Sequence, residues 1–134
     1  MKFFIDNNLS PHLAAALHAL SKPEGHSVIH KRSRFPANTP DHEWIAALAS
    51  EGDWVIVTQD RMGKNDLERK ALRQTGIVTF MLKNTWNNHD FWSKAQNLVK
   101  WWPRIIEHAG GVTNGVFLVG WRMSGKGKFE TVKV

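Results

Sequence analysis

Two aspartates, each placed directly after an apolar run, are the residues of this chain best suited to chemistry. Asp6 follows the run 1–5, and Asp60 follows the run 54–59. Runs of about five β-compatible residues predict buried strands. If the two strands are parallel neighbours, both carboxylates emerge at the edge where open α/β sheets bind ligands. Carboxylates held this close repel unless a cation or a shared proton lies between them, so the pair predicts a cation or acid–base site.

Other polar residues are predicted near the same edge. Asp41 and Glu43 fall in the first turn of a helix that starts after Thr39-Pro40. A hard cation such as Mg²⁺ or Mn²⁺ is held by a few carboxylates together with water and phosphate oxygens. Such a site can activate a water and neutralise a phosphodiester. Asn8 has two possible roles, which both stay open. It contributes to the site, by orienting a ligand carboxylate or by binding a metal-bound water, or it is simply a turn residue.

The elements that must position these residues alternate along the chain. Runs of β-compatible residues at 1–5, 27–30, 54–59 and 77–82 predict strands, separated by segments with helical spacing. The alternation predicts an α/β fold, a sandwich with a mainly parallel central sheet and helices on both faces. A long helix is predicted over about 90–108, with a kink or break at Pro103. The segments 115–123 and 129–134 then predict a C-terminal β-hairpin.

Composition limits the class of protein. The 134 residues suit one domain spanning 1–134, and the absence of cysteine excludes disulfides and thiolate metal sites. The lack of cysteine is compatible with a reducing cytoplasm, the expected location, and no apolar stretch reaches the roughly 18 residues of a membrane span. The net charge of +6 suits a polyanionic partner such as nucleic acid, or it is ordinary solubility charge.

Histidines and tryptophans add weaker indications. The histidines show no zinc-binding spacing, so His42 and His89 are at most phosphate contacts. Four tryptophans are expected to be partly exposed, where they would stack on RNA bases or, as we prefer, anchor a protein interface. The expected core tryptophans are Trp44, Trp54 and Trp102, and the expected partly exposed ones are Trp86, Trp92, Trp101 and Trp121.

Three segments resemble the motifs of a known family. The segments 3–11, 39–45 and 55–61 resemble the motifs of the PIN-like proteins found among bacterial toxin–antitoxin genes, distant relatives of VapC-type toxins. The strand 78–83 is similar to the next strand of that family, and the resemblance spans residues 1 to about 108. It implies a PIN fold and a metal-dependent ribonuclease, usually a toxin silenced by an adjacent antitoxin.

The resemblance also implies roles for individual residues. Asp6, Asp41 and Asp60 would bind Mg²⁺ or Mn²⁺, with Glu43 as a substitute for Asp41. In the ribonuclease mechanism that we expect on this basis, either Arg61 or Lys83 would neutralise charge on the scissile phosphate. The implied partners are an RNA substrate and a cognate antitoxin protein, and a homodimer is a further option.

The chain departs from the family pattern in two places. Met62 stands where the family often has a further aspartate, although Asn65 or Asp66 is close enough in sequence to compensate. The C-terminal hairpin lies outside the common core. Two alternatives therefore stay open. One is an inactive PIN-like module that binds RNA or protein. The other is a receiver-like signalling domain, against which Lys83 counts because it ends the fourth strand rather than the fifth.

Overall fold

The fold is an α/β sandwich around one sheet. The computed structural model describes residues 1–59 and 66–134. The strands in this part of the chain are β1 (Lys2–Ile5), β2 (Ser27–His30), β3 (Trp54–Thr58), β4 (Thr79–Leu82), β5 (Val116–Val119) and β6 (Glu130–Val132). The α-helices are α1 (Pro11–Ser21), α2 (Asp41–Glu51), α3 (Asp66–Thr75) and α4 (Phe91–Gly111). Short 3₁₀ helices lie at Lys22–Glu24, Lys31–Ser33 and Asn84–Asn88.

The described strands form a six-stranded sheet in the order β2-β1-β3-β4-β5-β6. The pairs from β2 to β5 are all parallel, which confirms the predicted parallel sheet. The predicted hairpin is also confirmed, since β5 and β6 pair antiparallel. It continues the sheet, because β5 also pairs with β4.

Helices cover both faces of the sheet. On one face, Phe3 and Ile5 of β1 pack in a core with residues of α1 and α4. On the other face, Phe4 packs with Trp44 and Ile45 of α2. Strands buried on both faces have near-continuous apolar sequences, which explains the unbroken run at the start of the chain.

Two helix starts follow from the local sequence. Ser10 caps α1 by accepting the His12 N–H, and Pro11 occupies the first position of the helix. Helix α2 begins at Asp41 after Pro40, with no side-chain cap. A kink or a break was predicted at Pro103, and the helix is not divided there. Helix α4 runs through it, held by buried residues on both sides, Trp102 and Ile105.

Tryptophan burial was predicted only in part. Trp44, Trp54 and Trp102 are buried, as expected, and Trp92 is 73% exposed. The expectation for Trp86 and Trp101 was wrong, because both are at most 1% exposed. The indole N–H of Trp86 donates to the carbonyl oxygen of Val119, the last residue of β5, at 3.0 Å, so its polar atom is paired inside the fold.

In the described part of the chain, no helix combines the length and apolar character that a membrane crossing requires.

Candidate active site at the carboxyl edge of the sheet

Strand register brings three polar side chains into one row. Ile5 of β1 lies opposite His30 of β2 and Val57 of β3. The next residues of these strands are Asp6, Lys31 and Thr58, which therefore lie side by side at the carboxyl edge. This is the edge at which an open parallel sheet binds its ligands.

Asp6 occupies the centre of the row and is 5% exposed. Its carboxylate accepts hydrogen bonds from the Thr58 hydroxyl at 2.9 Å and from the Asn7 N–H at 2.7 Å. Burial raises the pKa of Asp6 above 3.8, and it outweighs the lowering effects of these hydrogen bonds and of Lys31. A buried carboxylate is costly in its ionised form unless a positive charge lies close to it.

Lys31 supplies that positive charge. Its ammonium nitrogen lies 3.9 Å from Oδ1 of Asp6 and 3.9 Å from Oδ1 of Asp41. Sequence reasoning missed Lys31 as a site residue, although it follows β2 as Asp6 follows β1. The available signal was its position directly after a strand, the same position that pointed to Asp6 and Lys83.

Asp41 approaches the row from the first turn of α2. Its Oδ1 accepts the indole N–H of Trp44, one helical turn later, at 2.8 Å. The Lys31 ammonium lies 5.5 Å from the centre of the same indole ring, so Trp44 contacts both charged partners. Trp44 is fully buried and stacks on Phe4 with 4.9 Å between ring centres. This packing fixes the direction of the Asp41 side chain.

A buried histidine anchors the backbone that carries Lys31. His30 Nδ1 accepts the Arg32 N–H at 3.1 Å, so its Nε2 carries the proton and donates to the Leu9 carbonyl at 2.7 Å. The imidazole thereby ties the 3₁₀ helix Lys31–Ser33 to the turn after β1.

Amides continue the edge beyond Asp6. Asn8 is exposed, and its Oδ1 accepts the Gln59 N–H at 3.2 Å, which joins the turn after β1 to the end of β3. The Gln59 side-chain amide donates to Oδ1 of Asn87. Two buried oxygens here, Oδ1 of Asn7 and Oε1 of Gln59, accept no hydrogen bond within the described residues. Buried acceptors of this kind are suited to a water or a ligand donor.

The other predicted site residues lie in different surroundings. Asp60 and Arg61 are outside the described residues, as are Met62 and Asn65. Glu43 is exposed in the first turn of α2, so among the described residues Asp41 rather than Glu43 faces Lys31. Lys83 pairs with Glu130 at 2.5 Å. Asp66 is the exposed first residue of α3.

The comparison with protein families gives one match. A profile of the PIN-like domain family matches residues 1–84, well over half of the 134 residues. The chain therefore belongs to the PIN-like domain family, which has a nuclease-type fold that usually binds divalent metals. Neither a curated protein nor a solved structure gives a significant match.

The side chains at the carboxyl edge carry the type of ligand atom that a divalent cation binds. Asp6 and Asp41 supply carboxylate oxygens, the ligands that Mg²⁺ and Mn²⁺ prefer, and both already face a single positive charge. Within residues 1–59 and 66–134, no three acidic or histidine side chains form a group able to hold a metal. The third expected ligand, Asp60, is two residues beyond Thr58 and outside the described residues.

Proposed function

We propose that this protein is a Mg²⁺- or Mn²⁺-dependent endoribonuclease and the toxin component of a type II toxin–antitoxin pair. One observation carries the proposal. At the carboxyl edge, the carboxylates of Asp6 and Asp41 converge on one cationic group, the ammonium of Lys31. Membership of a family with a nuclease-type fold supports assigning this edge to phosphodiester hydrolysis.

In this proposal the chain holds its metal ligands in place before the metal binds. Thr58 and the Asn7 N–H orient Asp6, and Trp44 orients Asp41. Asp60 is the third proposed ligand, by its position after β3. A bound Mg²⁺ or Mn²⁺ would activate a water and neutralise charge on the phosphodiester.

Basic side chains are proposed to contact the scissile phosphate. Arg61 keeps this proposed role from its position directly after Asp60. Lys83 must release Glu130 to take part, and such a part-exposed pair contributes only about 0–1 kcal/mol to stability. Arg32 is exposed next to Lys31 and is a further phosphate contact at the same edge.

The proposed toxin role rests on different support. The three sequence motifs resemble PIN-like proteins of toxin–antitoxin genes, and the charge of +6 suits both RNA and an acidic antitoxin segment. The exposed pair Phe91 and Trp92 offers apolar anchors for a protein partner.

The experiment that tests nuclease activity is cleavage of a panel of single-stranded and structured RNAs. Purified protein is incubated with Mn²⁺ or with EDTA, and wild type is compared with Asp6→Asn and Asp60→Asn. Asp53→Asn is the matched control, since Asp53 is exposed at the opposite end of β3. Its backbone φ of 63° is one that asparagine tolerates.

We expect wild type and Asp53→Asn to cleave RNA with Mn²⁺, and no cleavage with EDTA or in the other two variants. Cleavage that survives EDTA, or that persists in Asp6→Asn, would refute the metal-dependent mechanism.

The toxin role is tested by induced expression. Growth arrest by wild type but not by Asp6→Asn, relieved by a small protein encoded next to this gene, is the expected result.

A second candidate function is an inactive PIN-like module that binds RNA or protein. It is favoured by Lys31, which already neutralises part of the acidic pair. RNA binding by an inert wild type, unchanged in Asp6→Asn, would favour it. Two observations disfavour the receiver-like alternative: the match to the PIN-like family and the residues that follow β5. The residues after β5 are Gly120, Trp121 and Arg122, without the lysine such a pocket requires.

A further inference from the structure

The side chain of Lys31 is buried, which is unusual for a lysine. Its side chain is 7% exposed, and that of Asp6 is 6% exposed. Removing an ammonium from water is costly unless opposite charge surrounds it, and Asp6 and Asp41 provide that charge. Lys31 is therefore held in place by electrostatics as well as by its contact with the Trp44 ring.

The charges of this cluster do not balance. One ammonium faces two carboxylates, so the three groups together keep an excess negative charge. Both separations of 3.9 Å also exceed the roughly 2.7–2.9 Å of a direct ammonium–carboxylate hydrogen bond. The carboxylates thus face a cation that neither of them binds closely.

We propose that Lys31 is a built-in counterion that occupies the place of the catalytic metal in the metal-free protein and competes with Mg²⁺ or Mn²⁺ for Asp6 and Asp41. This inference rests on the proposed function, because it takes the metal to be the one that the nuclease uses. Binding of the metal displaces the ammonium from between the two carboxylates. Lys31 therefore lowers metal affinity and keeps the acidic pair together when metal is scarce.

The local structure allows this exchange without rearranging the fold. His30 and Ser33 hold the backbone of the 3₁₀ helix through the Arg32 N–H and the His30 carbonyl. The side chain of Lys31 is a flexible stem of four carbons, so its ammonium can move while the backbone stays fixed.

The test is Mn²⁺ binding to the purified full chain, measured by calorimetry and by the loss of the free Mn²⁺ spin-resonance signal. Lys31→Met removes the competing charge, and Lys31→Arg keeps it. Lys2→Met is the matched control, because Lys2 also lies over a tryptophan ring, that of Trp54, at 4.7 Å.

We expect Lys31→Met to bind Mn²⁺ at least about tenfold more tightly than wild type, since a like charge has been removed from the cation's place. Lys31→Arg and Lys2→Met should bind within about twofold of wild type, since both keep the charge at the site.

A measurement on wild type covers the case in which Lys31→Met does not fold. In a Mg²⁺ titration followed by nuclear magnetic resonance, the ε-methylene signal of Lys31 should move saturably as the ammonium leaves the Trp44 ring. The ε-methylene signal of Lys2 should stay constant.

Equal Mn²⁺ affinity of Lys31→Met and wild type would overturn the inference, as would weaker binding by Lys31→Met or an absence of binding in both. A Lys31 signal that does not respond to Mg²⁺ would also overturn it. None of these measurements uses RNA. A protein that shows the expected competition but leaves RNA intact would refute the proposed nuclease activity and leave the role of Lys31 standing.

Discussion

Two clusters of the same composition lie in different parts of the molecule. At the carboxyl edge, Trp44 donates its indole N–H to Asp41, three residues earlier, at 2.8 Å, and Lys31 lies over its ring. At the amino end of β3, Trp54 donates to Glu51, also three residues earlier, at 3.1 Å, and Lys2 lies over its ring. Each cluster is thus a lysine, a tryptophan and an acid.

Burial and charge balance separate the two clusters. The amino-end cluster adds a second cation, because Arg34 pairs with Glu51 and also lies over Trp54, and the Glu51 side chain is 37% exposed. The carboxyl-edge cluster adds a second acid, Asp6, which is buried. A lysine, a tryptophan and an acid in contact therefore do not by themselves create a demand for a further cation. Excess negative charge in a buried position creates the demand for a cation.

The largest expected difference between the clusters is in RNA cleavage. Asp41→Asn removes a proposed metal ligand, whereas Glu51→Gln changes the corresponding acid of the other cluster. We expect Asp41→Asn to lower kcat/KM by more than the roughly 10–100-fold typical of losing an outer-shell partner. Glu51→Gln should retain wild-type activity. Equal loss in both variants would mean that the clusters do not differ in function.

The second difference is in stability without metal. Lys31→Met leaves two carboxylates without their counterion, and breaking a buried pair costs about 3 kcal/mol or more. Lys2→Met, in a part-exposed position, should change the free energy of unfolding by less than about 0.5 kcal/mol. Urea unfolding with EDTA measures both values, and added Mn²⁺ should restore part of the loss in Lys31→Met. A Lys31→Met protein as stable as wild type would show that the ammonium does not stabilise the acidic pair.

The third difference concerns the indole N–H groups. Trp44→Phe removes the donor that orients Asp41, and we expect a loss of about 10–100-fold in Mn²⁺ affinity or activity. Trp54→Phe removes the equivalent donor to Glu51 and should leave both properties unchanged. Thermal unfolding of the two variants provides the control, because both lose similar packing. Unchanged Mn²⁺ affinity in Trp44→Phe would show that Asp41 needs no orientation by this ring.

The smallest effect is a dependence of stability on pH. Burial raises the pKa of Asp6 above 3.8, so the folded protein holds this proton more tightly than the unfolded chain. The resulting stabilisation is complete below pH 3.8 and is lost as the pH rises through the raised pKa. Asp6→Asn does not titrate. As the pH rises from 3.8 through the raised pKa of Asp6, the free energy of unfolding of Asp6→Asn should therefore rise relative to that of wild type. Urea unfolding at a series of pH values measures this difference.

Asp90→Asn is a control of opposite sign for that measurement. The Ser93 N–H lowers the pKa of Asp90, so this aspartate stabilises the fold above its unfolded pKa. Stability of Asp90→Asn should fall relative to wild type as the pH rises towards 3.8. The same direction of change in both variants would contradict the assignment for Asp6.

Most of the local structure could be predicted from residues close together in the sequence. Apolar runs predicted β1 to β4, Thr39-Pro40 predicted the start of α2, and Asp6 directly after β1 predicted an acid at the carboxyl edge. These features depend on neighbouring residues, so they can be recognised without the fold. The motifs likewise predicted the PIN-like family, which the family match confirms over residues 1–84.

The contacts between distant segments, by contrast, depend on how the elements pack. Strand register placed Lys31 beside Asp6, and the packing of Trp44 turned Asp41 towards the same ammonium. Trp86, expected to be partly exposed, is buried and donates its indole N–H to the Val119 carbonyl at the end of β5. The physical reason is that burial and charge pairing depend on contacts between residues far apart in the chain, whereas hydrophobic spacing reports only on contacts within one element.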